Sequence, residues 1–252
     1  MRLNEKVAIV TGSGNGIGKA IATRFANEGA KIVIADFDQE ALEKTVEELK
    51  AANADVIGIN VNVAKEEDVQ KMVDETVEKF GKVDVLVNNA GVLDNIQAAA
   101  NVEDAVWNRV MDINVGGVMR TMRKIIPTFV AQGGGTIVNM ASLAALTGGR
   151  AGLTYTAAKH AVAGMTKNVA SHYGQQGVRA NAIAPSQVKT NLTSSFANVD
   201  KEGMDLAVRG VSLMGGALSV EDISNIAVFL ASDESSSING VVLAADNGWS
   251  AY

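Results

Sequence analysis

Short apolar, β-branched runs recur at Val7 to Val10, Lys31 to Ala35, Val56 to Val61, Val83 to Val87, Thr136 to Met140 and Val178 to Ala184, with longer segments of helical period between them. Strands that are apolar on both faces and alternate with helices specify a parallel sheet covered on both sides. The pattern therefore predicts a doubly wound, Rossmann-type α/β fold with helices on both faces of the sheet. Asp38 to Ala52 and Lys65 to Phe80 read as helices, the second with Val69, Met72, Val73, Val77 and Phe80 at helical spacing. Longer helices are expected over 103 to 131 and 152 to 173, and a last helix over 220 to 231 with a strand over 239 to 245 closes the fold. From Thr190 to Gly216 periodicity is weak and polar residues and glycines are frequent, so a substrate lid is expected over 190 to 216.

Composition narrows the function. With 252 residues, 47% hydrophobic and 20% charged, the chain has the apolar material for one large core, and residues 1 to 252 are expected to form one domain. The net charge of −6, with 22 scattered Lys and Arg, argues against nucleic acid as a partner. There is no cysteine, which excludes disulfides, thiolate nucleophiles and Cys-based zinc sites, so redox chemistry has to come from a cofactor. Met1 to Lys6 carries Arg2, Glu5 and Lys6 and runs straight into an apolar strand, unlike a signal peptide. No run approaches the roughly 18 apolar residues of a membrane span. A cytoplasmic location without a membrane partner is expected.

The first strand leads into Thr11-Gly12-Ser13-Gly14-Asn15-Gly16-Ile17-Gly18 and a helix beginning near Ile17. Glycines let a backbone approach a pyrophosphate, and the helix start offers free N–H groups and a positive dipole end. The spacing departs from G-x-G-x-x-G, because Ile17 holds the sixth position counted from Gly12. An ordinary glycine-rich turn is the alternative. Asp36, at the end of the second strand, favours the cofactor: a carboxylate there accepts ribose hydroxyls of NAD and repels the extra phosphate of NADP. Neither Asn15 nor Phe37 is basic, so nothing at those positions neutralises that phosphate. NAD is the expected cofactor, with an acidic surface turn as the competing reading of Asp36.

Tyr155 and Lys159 stand four residues apart in a helical segment and share a face, where an ammonium favours the phenolate. A free Tyr, with a pKa near 10, is too weakly acidic for a base at neutral pH. Lys159 and the positive charge of an oxidised nicotinamide are expected to lower it into working range. Ser142 follows the strand ending at Met140, at the carboxyl edge where open α/β folds bind ligands, and its hydroxyl can hold a substrate oxygen. Taken singly, such a Ser is usually a helix cap, a Tyr usually core and a Lys usually surface. His160 and His172 read as packing or surface residues, and Trp107 as core or interface. No metal site is expected.

Thr11-Gly12-x-x-x-Gly16-x-Gly18, Asn88-Asn89-Ala90-Gly91, Asn114, Ser142, Tyr155-x-x-x-Lys159 and Pro185 to Thr190 stand in an order and spacing that resembles the short-chain dehydrogenase/reductase family, in its classical form, over essentially the whole chain. The resemblance implies Tyr155 as acid/base with Ser142 and Lys159, and Asn114 anchoring a water that links Lys159 to solvent. It implies a cofactor site of Gly12, Gly14, Asn15, Gly16, Ile17 and Gly18, then Asp36 and Phe37, Asn62 and Val63, and Asn89, Ala90 and Gly91. Tyr155, Lys159, Pro185, Val188 and Thr190 complete it, with Val188 and Thr190 at the carboxamide end. It also implies a homotetramer paired through the helices over 103 to 131 and 152 to 173. Three departures stand out: Asn62-Val63 for Asp-Val, Pro185-Ser186 for Pro-Gly, and Asp246-Asn247-Gly248-Trp249 for Asp-Gly-Gly.

The expected activity is hydride transfer between NAD and a small, largely neutral secondary alcohol or ketone. The pocket is expected from Leu93 to Ile96, Leu143 to Leu146, Leu153, Gln187 and Leu192 to Phe196, which are mostly apolar and hold no basic cluster. A 3-oxoacyl-thioester reductase, which would normally prefer NADP, is the runner-up. A non-catalytic dinucleotide-binding protein on the same fold is the reading from another class.

Overall fold

The apolar run after Lys6 forms β1 (Val7–Thr11), buried at every position, in the middle of a parallel sheet. In this computed structural model, which describes residues 1–190, 199–209 and 216–251, the sheet continues through β2 (Lys31–Asp36), β3 (Val56–Asn60), β4 (Val85–Asn88), β5 (Gly135–Met140), β6 (Val178–Pro185) and β7 (Val242–Ala245). The strand order is β3-β2-β1-β4-β5-β6-β7, and every neighbouring pair is parallel. Ala8 is paired with Ile32 on one side and Val85 on the other, so β1 lies where the winding reverses.

Alternation along β1 divides the core in two. Ile9 packs with Val33, Leu86 and Ile137 beneath α3 (Glu66–Phe80), α5 (Val118–Ala131) and α6 (Leu153–Tyr173), where Val73, Phe129 and Val162 meet them. Ala8 and Val10 face the other way, toward Ile21 and Phe25 of α1 (Gly16–Asn27), Leu42 of α2 (Gln39–Ala51) and Ile223 of α8 (Val220–Ala231). Helices thus cover both faces, as continuously apolar strands require.

The long helix expected over 103 to 131 is instead α4 (Asp104–Met111), a π-helical segment (Asp112–Gly117) and α5. The wider turn places Asn114 inside and brings Gly117 against Val63, whose Cγ2 lies 2.8 Å from where a Cβ on Gly117 would stand. Of the expected lid over 190 to 216, α7 (Lys201–Ala207) is a short helix, while residues 191–198 and 210–215 lie outside the described residues. The strand expected from 239 starts at Val242, because Gly240 takes a left-handed turn with φ +85°. Among the described residues no helix is long and apolar enough to cross a membrane.

A buried polar chain crosses the first core. Thr121 donates to Asn88 Oδ1 (2.7 Å), Asn88 Nδ2 to Asn139 Oδ1 (2.8 Å) and Asn139 Nδ2 to Thr166 Oγ1 (2.9 Å), tying α5, β4, β5 and α6 together. Phe129 fills the space over Gly135, where a Cβ would stand 2.3 Å from its ring. Phe129→Ala should lower stability by about 3–5 kcal/mol through lost burial and a residual cavity, read as a lower denaturant midpoint with fold retained.

Candidate active site

All seven strands point their carboxyl ends to one edge, and the crevice opens where the winding reverses between β1 and β4. Four glycines shape the turn from β1 to α1. Gly12 and Gly16 have φ of +62° and +57°, which a side chain rarely tolerates. A Cβ on Gly18 would stand 2.1 Å from Gly12 O and 2.5 Å from Asn89 Nδ2, and one on Gly14 would stand 2.9 Å from Ala41 Cβ. Asn89 holds the turn from β4 by donating Nδ2 to Thr11 O (3.0 Å) and Gly12 O (2.8 Å), while Thr11 Oγ1 accepts from the amides of Asn89 and Ala90. Asn15 places no side-chain cap on α1, and no acidic residue stands in its first turn.

Around this turn lie the other expected nucleotide residues. Asp36 accepts the amides of Gly14 (2.7 Å) and Asp38 (2.9 Å), and Phe37 is 72% exposed beside it. Asn62 uses Oδ1 in a local turn with the Ala64 amide, 3.0 Å, and Val63 packs on Gly117. Pro185 ends β6, Val188 bridges to Leu218, and the Thr190 methyl lies 3.8 Å from where a Cβ on Gly16 would stand.

The other side of the crevice holds the groups expected to do chemistry. Ser142 follows β5, accepts the Ala144 amide at 3.2 Å and acts on the Tyr155 phenol to lower its pKa. Lys159, one turn beyond Tyr155 on α6, has Nζ 5.3 Å from the Tyr155 ring centroid and donates to Met140 O at 2.7 Å. Asn114 exchanges two bonds with Val92, accepting its amide (2.8 Å) and donating to its carbonyl (2.9 Å). A Cβ on Gly91 would stand 3.2 Å from Asn114 Oδ1 and 3.8 Å from Lys159 Nζ, so Asn114, Gly91 and Lys159 meet.

A family model described as enoyl-(acyl carrier protein) reductase matches residues 12–250. The chain is 42% identical over 248 residues to 3beta-hydroxysteroid dehydrogenase 2 of Eggerthella lenta, covering 98% of this chain and 95% of that protein. It superposes on levodione reductase with a TM-score of 0.91 at 32% identity, each chain fully covered. It also superposes on 3-ketoacyl-(acyl-carrier-protein) reductase from Brucella melitensis, crystallised with NADH, with a TM-score of 0.88 at 37% identity, covering 98% and 99% of the two chains. The chain belongs to the short-chain dehydrogenase/reductase family.

Within this candidate site, burial governs charge. Desolvation pushes the Tyr155 phenol up to about 12, against the lowering hydrogen bond from Ser142, and the Asp94 carboxylate adds to the rise. Lys159 and the charge of an oxidised nicotinamide are expected to bring the phenol down; among the protein's own groups, desolvation outweighs every lowering influence. The same burial lowers Lys159 to about 8.

The departures find local uses. Asp246 accepts the amides of Gly248 (3.0 Å) and Ser250 (2.7 Å), which seats buried Trp249 beneath the Arg150 guanidinium, 3.8 Å from the ring centroid. Ser186 donates its amide to Ala245 O at 2.9 Å, joining the turn after β6 to β7. His160 and His172 are exposed, and among the described residues no group of three or more His, Asp and Glu is placed to hold a metal. Trp107 is 36% exposed, on the surface of α4 and not in the core. Of the expected pocket, Leu143, Ala144 and Ala145 are buried, Leu146, Leu153 and Gln187 are exposed, and Leu192 to Phe196 lie outside the described residues.

Asp94, expected only as pocket lining, is buried and bonded to the Tyr155 amide. A polar residue in an aperiodic loop reads as surface, and its nearness to Gly91 was the one available signal.

Lys159 has its pKa lowered from 10.5 to about 8, so the folded state disfavours the ammonium and its penalty is present in full below pH 8. The unfolded chain binds the extra proton between those values, so the Lys159 contribution to stability rises from about pH 8 to 10.5. Lys159→Met should therefore stabilise the protein at neutral pH by about 2 kcal/mol, with the gain vanishing toward pH 10.5 in denaturant unfolding.

Proposed function

We propose that the protein is an NAD-dependent oxidoreductase that interconverts a small, largely neutral secondary alcohol and its ketone, with Tyr155 as acid/base. The observation that carries the reading is the convergence of Ser142, Tyr155, Lys159 and Asn114 at the carboxyl edge, facing a glycine cradle whose space side chains would fill. That cradle suits a pyrophosphate, at the start of a helix free of acidic residues. Asp36 would take the adenosine ribose hydroxyls, Asn89, Ala90 and Gly91 would line the middle of the cofactor, and Pro185, Val188 and Thr190 its nicotinamide end. When bound, NAD supplies the acceptor for hydride.

The chain's own residues handle the proton. Ser142 holds the substrate oxygen and steadies charge developing there. Tyr155 takes the hydroxyl proton in oxidation and returns it in reduction. Lys159 holds a ribose hydroxyl and favours the phenolate through its charge, and Asn114 anchors the water that passes the proton outward. Support for NAD comes from Asp36 and from the structural neighbour crystallised with NADH. Support for an alcohol substrate comes from the hydroxysteroid dehydrogenase relative. A 3-oxoacyl thioester remains the second reading, favoured by the 3-ketoacyl-(acyl-carrier-protein) reductase among the structural neighbours. One domain serving both cofactor and substrate, in a homotetramer within the cytoplasm, completes the proposal.

The test follows nicotinamide absorbance with NAD or NADP across hydroxysteroids, cyclic and acyclic secondary alcohols, vicinal diols, sugars and 3-hydroxyacyl thioesters. Reduction of NAD with one neutral alcohol group supports the reading, and turnover confined to thioesters replaces it. Tyr155→Phe should keep NAD affinity and lose about 10²–10⁴ in turnover; undiminished activity removes Tyr155 as the base. Asp36→Ala should raise the NADP-to-NAD ratio of kcat/KM about tenfold or more by relieving phosphate repulsion, and an unchanged ratio removes Asp36 as the ribose ligand.

A further inference from the structure

Asp94 lies in the loop after β4, is 1% exposed, and spends both carboxylate oxygens on backbone amides. Oδ2 accepts the N–H of Tyr155 at 2.8 Å, and Oδ1 that of Ile96 at 3.0 Å. Helix α6 receives no side-chain cap from its own N-cap residue Gly152, so this carboxylate, 61 residues earlier in the chain, holds an amide of its first turn. Gly152 makes room for it: a Cβ there would stand 2.5 Å from Asp94 Oδ2. Burying a carboxylate is unfavourable without such charge-assisted bonds, and the helix dipole adds to them.

The loop is bent to make this contact. Asn95 and Ile96 have φ of +59° and +55°, and a β-branched residue in that region is strained. The same loop ties α6 to α7. Gln97 O accepts the Leu153 amide at 3.0 Å, Asn95 O accepts the Asp200 amide at 3.0 Å, and Asp200 Oδ2 accepts the Ala98 amide at 2.8 Å. Gly203 of α7 sits so close that a Cβ would come 1.8 Å from Ile96 O.

We propose that Asp94 is the positioning residue of Tyr155: it fixes the first turn of α6 through the tyrosine's own amide, in a loop shared with α7. This rests on the reading of Tyr155 as acid/base. The fixed amide gives the phenol a constant origin relative to Ser142. The Asp94 charge opposes a second negative charge beside it and so favours the proton-donating form until a cation offsets it.

The ionisable groups around the phenol are few. Lys159 stands on its own helix and Asp94 on the loop. Glu103 and Arg109, from the approach to α4 and from α4, bond to the Gln97 side chain and to Leu93 O. Asp200 bonds to Ala98 and Asn101.

The test is a tyrosinate ultraviolet titration of Asp94→Asn, Asp94→Ser and unaltered protein, each with and without saturating NAD, using Tyr155→Phe to subtract the other tyrosines. Loss of the charge should lower the ionisation pH of Tyr155 by about half a unit or more in both neutral variants. An unshifted ionisation in a folded variant overturns the proposal. Amide hydrogen exchange on the unaltered protein stands beside it. First-turn amides ordinarily exchange fast, so a Tyr155 amide protected as well as those of the α6 interior is expected, and fast exchange overturns the positioning contact. Failure of the two readings is distinguishable: full turnover by Tyr155→Phe removes the acid/base reading and leaves the ionisation result standing, whereas an inactive Tyr155→Phe with unshifted ionisation removes only Asp94.

Discussion

A parallel sheet leaves apolar side chains on both faces, and everything else in this protein follows from covering them. Each strand has to return by a helix on one face or the other, so all carboxyl ends gather at one edge. With β1 flanked by β2 and β4, the winding changes direction there and a crevice opens between the two halves. The glycine turn after β1 and the Asn89 turn after β4 are the two lips of that crevice, and Asn89 bonds one to the other. The candidate residues are therefore mounted on strand ends, on α6 and on the π-helical segment, not on long loops.

Desolvation then sets the electrostatic character of the site. Lys159 is buried against Met140 O and Tyr155 is half-buried beside it on α6, so desolvation acts on both. Each neutral form is favoured, Lys159 losing its proton more easily and Tyr155 less. A site tuned this way is unfavourable for stability, and it sets the two proton affinities apart, the phenol holding its proton and the ammonium releasing its own more readily. The polar chain from Thr121 through Asn88 and Asn139 to Thr166 lies in the core behind it, bracing α5 and α6 on the sheet with bonds satisfied internally.

The sheet was legible because its signal is repeated: six apolar runs of the right length, with segments of helical period between them, leave few alternatives. The glycine turn and the Tyr155–Lys159 pair were legible because spacing alone places them, one on a strand-to-helix turn and the other on one helix face. What escaped depends on packing across distant residues. The π-helical segment at Asp112–Gly117 has the same polar and apolar pattern as an ordinary helix, and only the depth of Asn114 and the close approach of Gly117 to Val63 reveal it. Asp94 escaped because a buried carboxylate is recognised by its partners, and Tyr155 stands 61 residues away. The direction of the Tyr155 shift escaped because sequence spacing reports a neighbouring charge but not the loss of water.

The strand order also dictates a sequence of events at the ribosome. β2 and β3 follow β1 directly in the chain, but the other edge of β1 waits for β4, whose Val85 pairs with Ala8 and is made only after α2, β3 and α3. During that interval a fully apolar strand carries an open edge, a template for unwanted pairing with other chains. From β4 onward each new strand adds to the one before it, through β5 and β6 to β7. The crevice between β1 and β4 therefore cannot form until β4 has been made, although the glycine turn on one of its sides is among the first segments synthesised.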